Sequence, residues 1–273
     1  METPRLARID IFPIKALDGV SVDRVGISAA GTLVMDREFG FVDQNRQWIN
    51  GKRSTAIHHV RATYDLAQRK VTLRIQDNPD EATFSLDRGR DRLVTWVGRY
   101  LQQSVQLRRC QEGSFSDDLR ASGPTIISTA TLEALTDWYP HLSLEELRRR
   151  FRTNLEIDGV PAFWEDHLYG EPGDLKPFSI GSVPFLGCYP CQRCVVPTRD
   201  SRTGQGDREF QKTLAKKRKE TLPDWANEQQ FKHYFRLAVN TKIPEPTEEL
   251  WLTVGDRLTF PTDSPKSSDN SEA

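Results

Sequence analysis

The chain of 273 residues is long enough for one large domain, or for two interlocked halves, with a substantial core. Lys and Arg total 38 against 39 Asp and Glu, and the formal net charge of -1 lacks the basic excess of a general nucleic-acid binder. No stretch approaches the roughly 20 apolar residues that cross a bilayer, so the composition predicts a cytoplasmic protein with no membrane or nucleic-acid partner.

The first hundred residues are predicted to form mostly β-strands. Five segments carry β-branched and aromatic residues with partial alternation, namely RLARIDIFPI, EFGFVDQ, AIHHVRATYDL, KVTLRIQ and EATFSLD. Turn residues such as Asn50-Gly51 separate them. From Arg90 to Gln103 the apolar residues recur every three or four positions, which predicts an amphipathic helix. A strand is expected to follow over residues 105–111.

The second half opens with the apolar run TIIS and a predicted helix from Ala130 to Trp138. Ser143 and Glu146 form an S-x-x-E capping box, which predicts a helix over LEELRRR. The segments TNLEIDG, FSIGSVPFLGCYP, FRLAVN and LWLTVGDRLTF predict strands. REFQKTLAKKRKE predicts a charged helix, which is either a solvated face or a docking face for a partner protein. Many short strands with few helices indicate a barrel-like β fold with helical insertions, followed by a disordered tail.

Three of the four cysteines lie in GCYPCQRCVVPTRD, as Cys188, Cys191 and Cys194. Four cysteines in so long a chain indicate free thiols in a reducing compartment. The segment lacks the fourth cysteine of a ferredoxin-type iron–sulfur motif, and the chain lacks the second ligand pair of a structural zinc site. A C-x-x-C redox pair is expected to open a helix, and Pro197 makes the following segment a poor helix start. Two interpretations stay open. In one, a single thiolate binds a metal that accepts soft ligands, with Arg193 next to it in the sequence. In the other, the cysteines are buried apolar residues of a strand.

Several motifs agree in order with one family. They are IDIFPIKALDGVSV, GTLVMDREFGFVDQ, RFRTNLEIDG, WEDHLYG and FSIGSVPFLGCYPCQRCVVPTRDSRTG. With them the chain resembles the MOSC (molybdenum cofactor sulfurase C-terminal) proteins, specifically those built like the mitochondrial amidoxime-reducing component. The resemblance implies a β-rich α+β fold, with a MOSC-type β-barrel with helical insertions plus an N-terminal β-barrel-like domain. The implied domains are 4–115 and 116–262, with a disordered tail at 263–273.

The resemblance also implies functional residues. Cys194 matches the cysteine that ligates molybdenum and is the catalytic residue, whereas Cys191 matches a non-ligating cysteine and Cys188 is incidental. The residues implied to contact the pterin or its phosphate are Lys15, Arg37, Ser122, Arg152, Asn154 and Arg193. Guanidinium forks suit phosphate geometry. Each assignment has a structural alternative. Arg37 and Arg152 could be surface residues or could stack on aromatic rings, Lys15 could be a solvated strand end, and Asn154 could be a turn residue.

The implied function is that of a molybdenum-cofactor (Mo-molybdopterin) oxidoreductase acting on small N-hydroxylated substrates such as amidoximes and hydroxylamines. The sequence carries no Rossmann glycine fingerprint and no haem motif, so a separate electron-donor protein of the ferredoxin, cytochrome b5 or flavin reductase type is expected. Two alternatives remain: a molybdenum-cofactor or sulfur carrier using a Cys194 persulfide, and a pterin-binding barrel that has lost catalysis.

Overall fold

The computed structural model describes residues 3–244, 246 and 248–261. Within these ranges the chain forms fifteen strands and four α-helices. The strands are β1 (Arg5–Ile11), β2 (Val20–Val22), β3 (Arg24–Gly26), β4 (Phe39–Asp43), β5 (Val60–Asp65), β6 (Lys70–Ile75), β7 (Glu81–Ser85), β8 (Val105–Arg109), β9 (Ile126–Ser128), β10 (Leu155–Asp158), β11 (Lys176–Ile180), β12 (Val183–Gln192), β13 (Arg236–Lys242), β14 (Trp251–Thr253) and β15 (Leu258–Thr259). The helices are α1 (Arg90–Leu101), α2 (Thr129–Trp138), α3 (Leu144–Phe151) and α4 (Phe210–Glu220). Short 3-10 helices lie at Ala56–His59, Trp164–Leu168, Val196–Thr198 and Glu228–Gln230.

Part of the first half forms a core of its own. Strands β5, β6 and β7 make an antiparallel sheet, and β4 pairs with β8. Alternation in β6 turns Val71 and Leu73 inward, and the four-residue spacing of Leu93 and Val97 buries one face of α1. All four side chains belong to one cluster with Phe39. The strands and the helix predicted for this region are confirmed, except that the first four residues of the predicted strand AIHHVRATYDL form a 3-10 helix and β5 begins only at Val60.

A larger sheet joins the two ends of the chain. Its eight strands run in the order β15-β11-β12-β13-β9-β10-β1-β2, with β9 and β10 parallel and the other pairs antiparallel. The first strand therefore pairs with β10, about 150 residues later, and β3 pairs with β14. The β-rich α+β class is confirmed. Among the described residues this sheet does not close on itself, and the short strands β15 and β2 form its two edges.

Helices α2, α3 and α4 pack around a third cluster that includes Leu135, Phe151 and Phe210. The predicted cap at Ser143 is confirmed, because its hydroxyl accepts a hydrogen bond from the Glu146 N–H at 3.2 Å. The Glu146 carboxylate does not complete the box. It instead accepts bonds from Arg150 Nε within α3 and from the Ser201 hydroxyl, both at 2.7 Å, and the Ser201 bond ties α3 to the loop that follows the cysteine segment.

No helix within the described ranges is both long enough and apolar enough to cross a membrane. The predicted tail at 263–273 lies outside the described residues.

Candidate functional site

A cleft of about 930 Å³ opens where the two halves of the chain meet. Its walls come from the loop after β1, the turn between α3 and β10, the end of β12 and the segment between β8 and β9. All seven residues predicted from the sequence line it, namely Lys15, Arg37, Ser122, Arg152, Asn154, Arg193 and Cys194. The fold thus brings together side chains that lie far apart in the sequence.

The cleft is strongly basic although the chain as a whole is nearly neutral. Its lining contains twelve Lys and Arg residues, which are Lys15, Arg37, Lys52, Arg61, Arg120, Arg149, Arg150, Arg152, Arg193, Arg199, Lys232 and Arg236. Four aspartates face them, at positions 18, 36, 117 and 118. Since low-dielectric walls focus the field of like charges, this excess favours an anionic ligand.

Arg37 is held from several sides. Its Nη1 donates to the Asp36 carboxylate and to Asn154 Oδ1 at 3.3 Å, and its Nη2 donates to the Arg152 carbonyl at 3.3 Å. Its guanidinium also lies 4.9 Å from the centre of the Phe12 ring. The cation–π contact considered for this arginine is therefore present, and it orients the group within the cleft wall.

Arg152 ends α3 in the left-handed conformation, with φ of 52°. Its guanidinium lies 4.1 Å from the Phe12 ring centre and makes no hydrogen bond to any residue that the structure describes. Burial, together with repulsion from Arg37, lowers the pKa of Arg152 to about 10. Asp18 and Asp36 offset this effect only in part, so a bound anion would stabilise the charge further.

Asn154 uses its polar atoms inside the protein. Its Oδ1 accepts bonds from Arg37 and from the Thr125 N–H at 3.3 Å, and its Nδ2 donates to the Asp10 carbonyl at 3.1 Å. Only 3% of this residue is exposed. Asn154 therefore positions Arg37 and joins β1 to β10, which is more than the turn role considered for it.

These two neighbours are expected to respond differently to substitution. Asn154→Ala leaves a buried N–H and a buried carbonyl without partners, so the free energy of unfolding should fall by about 2–3 kcal/mol. Arg152→Gln removes a cation whose charge opposes folding, since its folded pKa lies below its ordinary value of 12.5. Stability should then be unchanged or slightly higher. Urea unfolding followed by circular dichroism checks both, and equal losses would contradict the assignment.

Lys15 lies in the cleft wall, and its neighbours were not predicted from the sequence. Its Nζ donates to the Phe115 carbonyl at 2.6 Å and to the Asp117 carboxylate, while Lys52 Nζ donates to the other Asp117 oxygen at 2.8 Å. Burial lowers the pKa of Lys15 despite the opposing effect of Asp117. Lys52 follows the predicted turn Asn50-Gly51, but nothing in the sequence indicates a contact with Asp117.

Arg193 connects the end of β12 to α3. Its Nη1 donates to Cys191 Sγ at 3.2 Å, its Nη2 donates to the Phe151 carbonyl, and its guanidinium lies 5.3 Å from the Phe151 ring centre. The remaining Nε–H is buried without a partner among the described residues. Ser122 is half-buried on the cleft wall, and its hydroxyl bonds to no described residue.

The three clustered cysteines occupy different environments. Cys188 is 2% exposed, and burial raises the pKa of its thiol to about 11. Cys191 lines the cleft and accepts the Arg193 bond. Cys194 lies half-buried between β12 and the next 3-10 helix, and its Sγ bonds to no described residue. Among the described residues, no three His, Cys, Asp or Glu side chains group to hold a metal. The cleft thus offers two free thiols, of which Cys191 accepts the Arg193 bond and Cys194 has no described partner, rather than a metal-binding cluster.

Alkylation should separate these thiols. Native protein treated with iodoacetamide near neutral pH is expected to react at Cys194 well before Cys188, because the thiolate is the reacting form and Cys188 is buried and protonated. Peptide mass spectrometry gives the extent at each site, with half-buried Cys110 as an internal comparison. Labelling of Cys188 as fast as Cys194 would contradict this description.

The fold and the cleft together define a β-rich protein with a basic site for an anionic ligand. An accessible thiol, Cys194, lies in the same cleft. The chain belongs to the MOSC-domain family: the model of the MOSC N-terminal beta barrel domain matches residues 3–115, and the model of the MOSC domain matches residues 124–259.

Curated relatives agree with this membership. The chain is 26% identical over 286 residues to the molybdenum cofactor sulfurase of Drosophila melanogaster, which covers 93% of this chain and 34% of that protein. It is 26% identical to the molybdenum cofactor sulfurase of Caenorhabditis elegans, covering 75% and 30%. The chain therefore spans about a third of the length of these relatives.

Similarity to solved structures is slight. The YUAD protein from Bacillus subtilis gives a TM-score of 0.37 at 8% identity, with 95% of this chain and 98% of that chain covered. A crystal structure of a hypothetical protein gives a TM-score of 0.39 at 10% identity, with 93% and 68% covered.

The donor set fits the cofactor that the family resemblance implies. A molybdenum cofactor presents a metal that accepts thiolate ligands and an anionic phosphate that accepts charge-assisted hydrogen bonds. The cleft supplies Cys194 for the first and an excess of Lys and Arg for the second. The unpartnered guanidinium of Arg152 and the buried Nε–H of Arg193 are donors that such a ligand would satisfy.

Proposed function

We propose that this protein is a molybdenum-cofactor-binding oxidoreductase that reduces N-hydroxylated compounds, such as amidoximes and hydroxylamines, with electrons from a separate donor protein. The observation that carries the proposal is the half-buried Cys194 thiol in a cleft lined by twelve Lys and Arg residues. We assign residues 4–115 to the N-terminal domain and residues 116–262 to the MOSC domain, and we expect a cytoplasmic protein.

Each residue has a proposed task. Cys194 Sγ ligates the molybdenum, and Lys15, Arg37, Ser122, Arg152 and Arg193 hold the anionic part of the cofactor. Asn154 acts by fixing Arg37. When bound, the cofactor would supply the two-electron chemistry that cleaves the N–O bond, so that two electrons and two protons convert an amidoxime to the amidine and water, or a hydroxylamine to the amine and water.

The electron donor is expected to be of the ferredoxin, cytochrome b5 or flavin reductase type, with no nucleic-acid or membrane partner. The near-zero net charge supports this expectation for nucleic acid. Glu165, Asp166 and Asp200 lie near the matched motifs in the sequence, but they do not line the cleft, so none is proposed as a proton source.

An assay with a chemical reductant tests the activity without the partner. Protein from a host that makes the cofactor is mixed with benzamidoxime and reduced methyl viologen, and benzamidine is measured by chromatography. Product should form with this protein and not with the same chain from a host unable to make the cofactor. Protein that retains molybdenum but forms no product would refute the proposed activity.

A second candidate is a molybdenum-cofactor or sulfur carrier in which Cys194 holds a persulfide. The observation that favours it is the similarity to proteins named molybdenum cofactor sulfurase. Mass spectrometry distinguishes the two: a stable single-sulfur adduct on the Cys194 peptide, in protein without molybdenum, would support the carrier over the reductase.

A further inference from the structure

The segment of the chain between β8 and β9 forms part of the cleft wall. We call residues 116–122 the strap, and every one of them lines the cleft. Two neighbouring carboxylates hold it. Asp117 bridges Lys15 and Lys52, and Asp118 accepts bonds from the Tyr189 hydroxyl at 2.8 Å and from Asn240 Nδ2 at 3.2 Å.

We propose that Lys15 and Lys52 form a subsite for a phosphate monoester dianion, and that Asp117 holds its position in the structure. The dianion binds by displacing the Asp117 carboxylate, so that the strap keeps only its Asp118 bonds and loosens. That this dianion is the phosphate of the cofactor rests on the proposed function, whereas the subsite itself does not.

The charges favour this exchange. Two ammonium groups meet a single carboxylate, so one positive charge is uncompensated, and a phosphate dianion would match both. Lysine ammonium groups bind phosphate as point charges. The Lys15 side chain is 10% exposed and remains in the cleft wall, while the Asp117 side chain is 57% exposed and is readily hydrated when released.

The place of Lys52 relative to the thiol supports a role in the same site. Lys52 follows Gly51, where an added Cβ would lie 3.4 Å from a methyl group of Val196, two residues beyond Cys194. The turn that carries Lys52 therefore abuts the loop that carries the thiol. A ligand held by both lysines would lie in the same cleft as Cys194.

The test uses the full chain from a host unable to make the cofactor, with methyl phosphate as the probe and calorimetry at constant ionic strength. Asp117→Asn should tighten binding by about fivefold, the factor that one partly exposed ion pair is typically worth. Lys52→Gln should weaken it by a similar factor. Asp158→Asn, an exposed residue on β10, and Lys232→Gln, another lysine of the cleft, control for net charge.

The proposal fails if Asp117→Asn binds methyl phosphate no more tightly than Asp158→Asn, or if Lys52→Gln weakens binding no more than Lys232→Gln. Acetate is the second probe. Tighter binding of acetate than of methyl phosphate would assign the subsite to a substrate carboxylate and overturn the phosphate assignment.

Loosening of the strap has its own readout. Arg120 lies on the strap, so methyl phosphate should accelerate tryptic cleavage after it, and Asp117→Asn should do so without phosphate. Unchanged or slower cleavage with bound phosphate would refute loosening of the strap. Phosphate binding that depends on Asp117, in a protein that takes up no molybdenum in a cofactor-making host, would leave the subsite standing and refute the proposed function.

Discussion

Replacing Cys194 by alanine is expected to lower the rate of benzamidoxime reduction by at least about 100-fold. Removing a residue that only hydrogen-bonds to a metal ligand costs up to about 100-fold, so removing the ligand itself should cost at least as much. The thiol is the one soft protein ligand assigned to the metal, and alanine cannot replace it. Its Sγ bonds to no described residue and the side chain is half-buried, so the fold should survive. Steady-state rates and circular dichroism measure the two effects.

Two other cysteines provide controls for this variant. Cys110→Ala should leave the rate unchanged, because Cys110 does not line the cleft. Cys191→Ala removes the acceptor of one Arg193 hydrogen bond and should cost far less than Cys194→Ala. Equal losses at 191 and 194 would instead point to a redox pair, and full activity of Cys194→Ala would refute the assignment of this residue.

Arg218→Ala is expected to lower the free energy of unfolding by about 3–5 kcal/mol, the typical cost of breaking a buried ion pair. Arg218 is 2% exposed and donates to the Asp166 carboxylate, which is 3% exposed. Its guanidinium lies 4.5 Å from the Phe163 ring centre and 5.1 Å from that of Phe231. The substitution leaves a buried carboxylate without its cation and removes both contacts.

Urea unfolding measures this loss. Lys217→Ala, on the exposed side of the same helix, should change the free energy of unfolding by no more than about 0.5 kcal/mol. Replacing Asp166 and Arg218 together by leucine and methionine should recover much of the loss, because no unpaired charge remains. A loss below 1 kcal/mol in Arg218→Ala would contradict the description of this pair.

Local patterns in the sequence were enough to predict most elements. The apolar spacing predicted α1, the capping box predicted the start of α3, and alternation predicted β5, β6 and β7. Strands β2 and β3 were not predicted, because each has only three residues, which is too short for an alternation of apolar and polar positions to be recognised.

Long-range pairing left no such signal. Nothing local in RLARIDI indicates that β1 joins the sheet of the second half, and the Glu146 contact with Ser201 depends on a loop 55 residues away. For the same reason the bridge from Asp117 to Lys15 and Lys52 was missed. Side-chain partners across the fold depend on packing that residue types alone do not specify.

The site residues were predicted from the family resemblance rather than from chemistry alone. The structure places all seven in one cleft, which local sequence reasoning could not do for Lys15 and Arg193, 178 positions apart. It also separates their tasks, since Arg152 presents an unpartnered cation while Asn154 is fully used within the protein. Their roles toward a cofactor remain predictions.

The molybdenum content of native protein and of Cys194→Ala, both from a host that makes the cofactor, tests the central claim most directly. Elemental analysis for Mo, Fe and Zn should find near-stoichiometric Mo in the native protein and little or none in the variant. Equal Mo in both, or Zn or Fe in its place that also depends on Cys188 and Cys191, would contradict the assignment of Cys194 as the metal ligand.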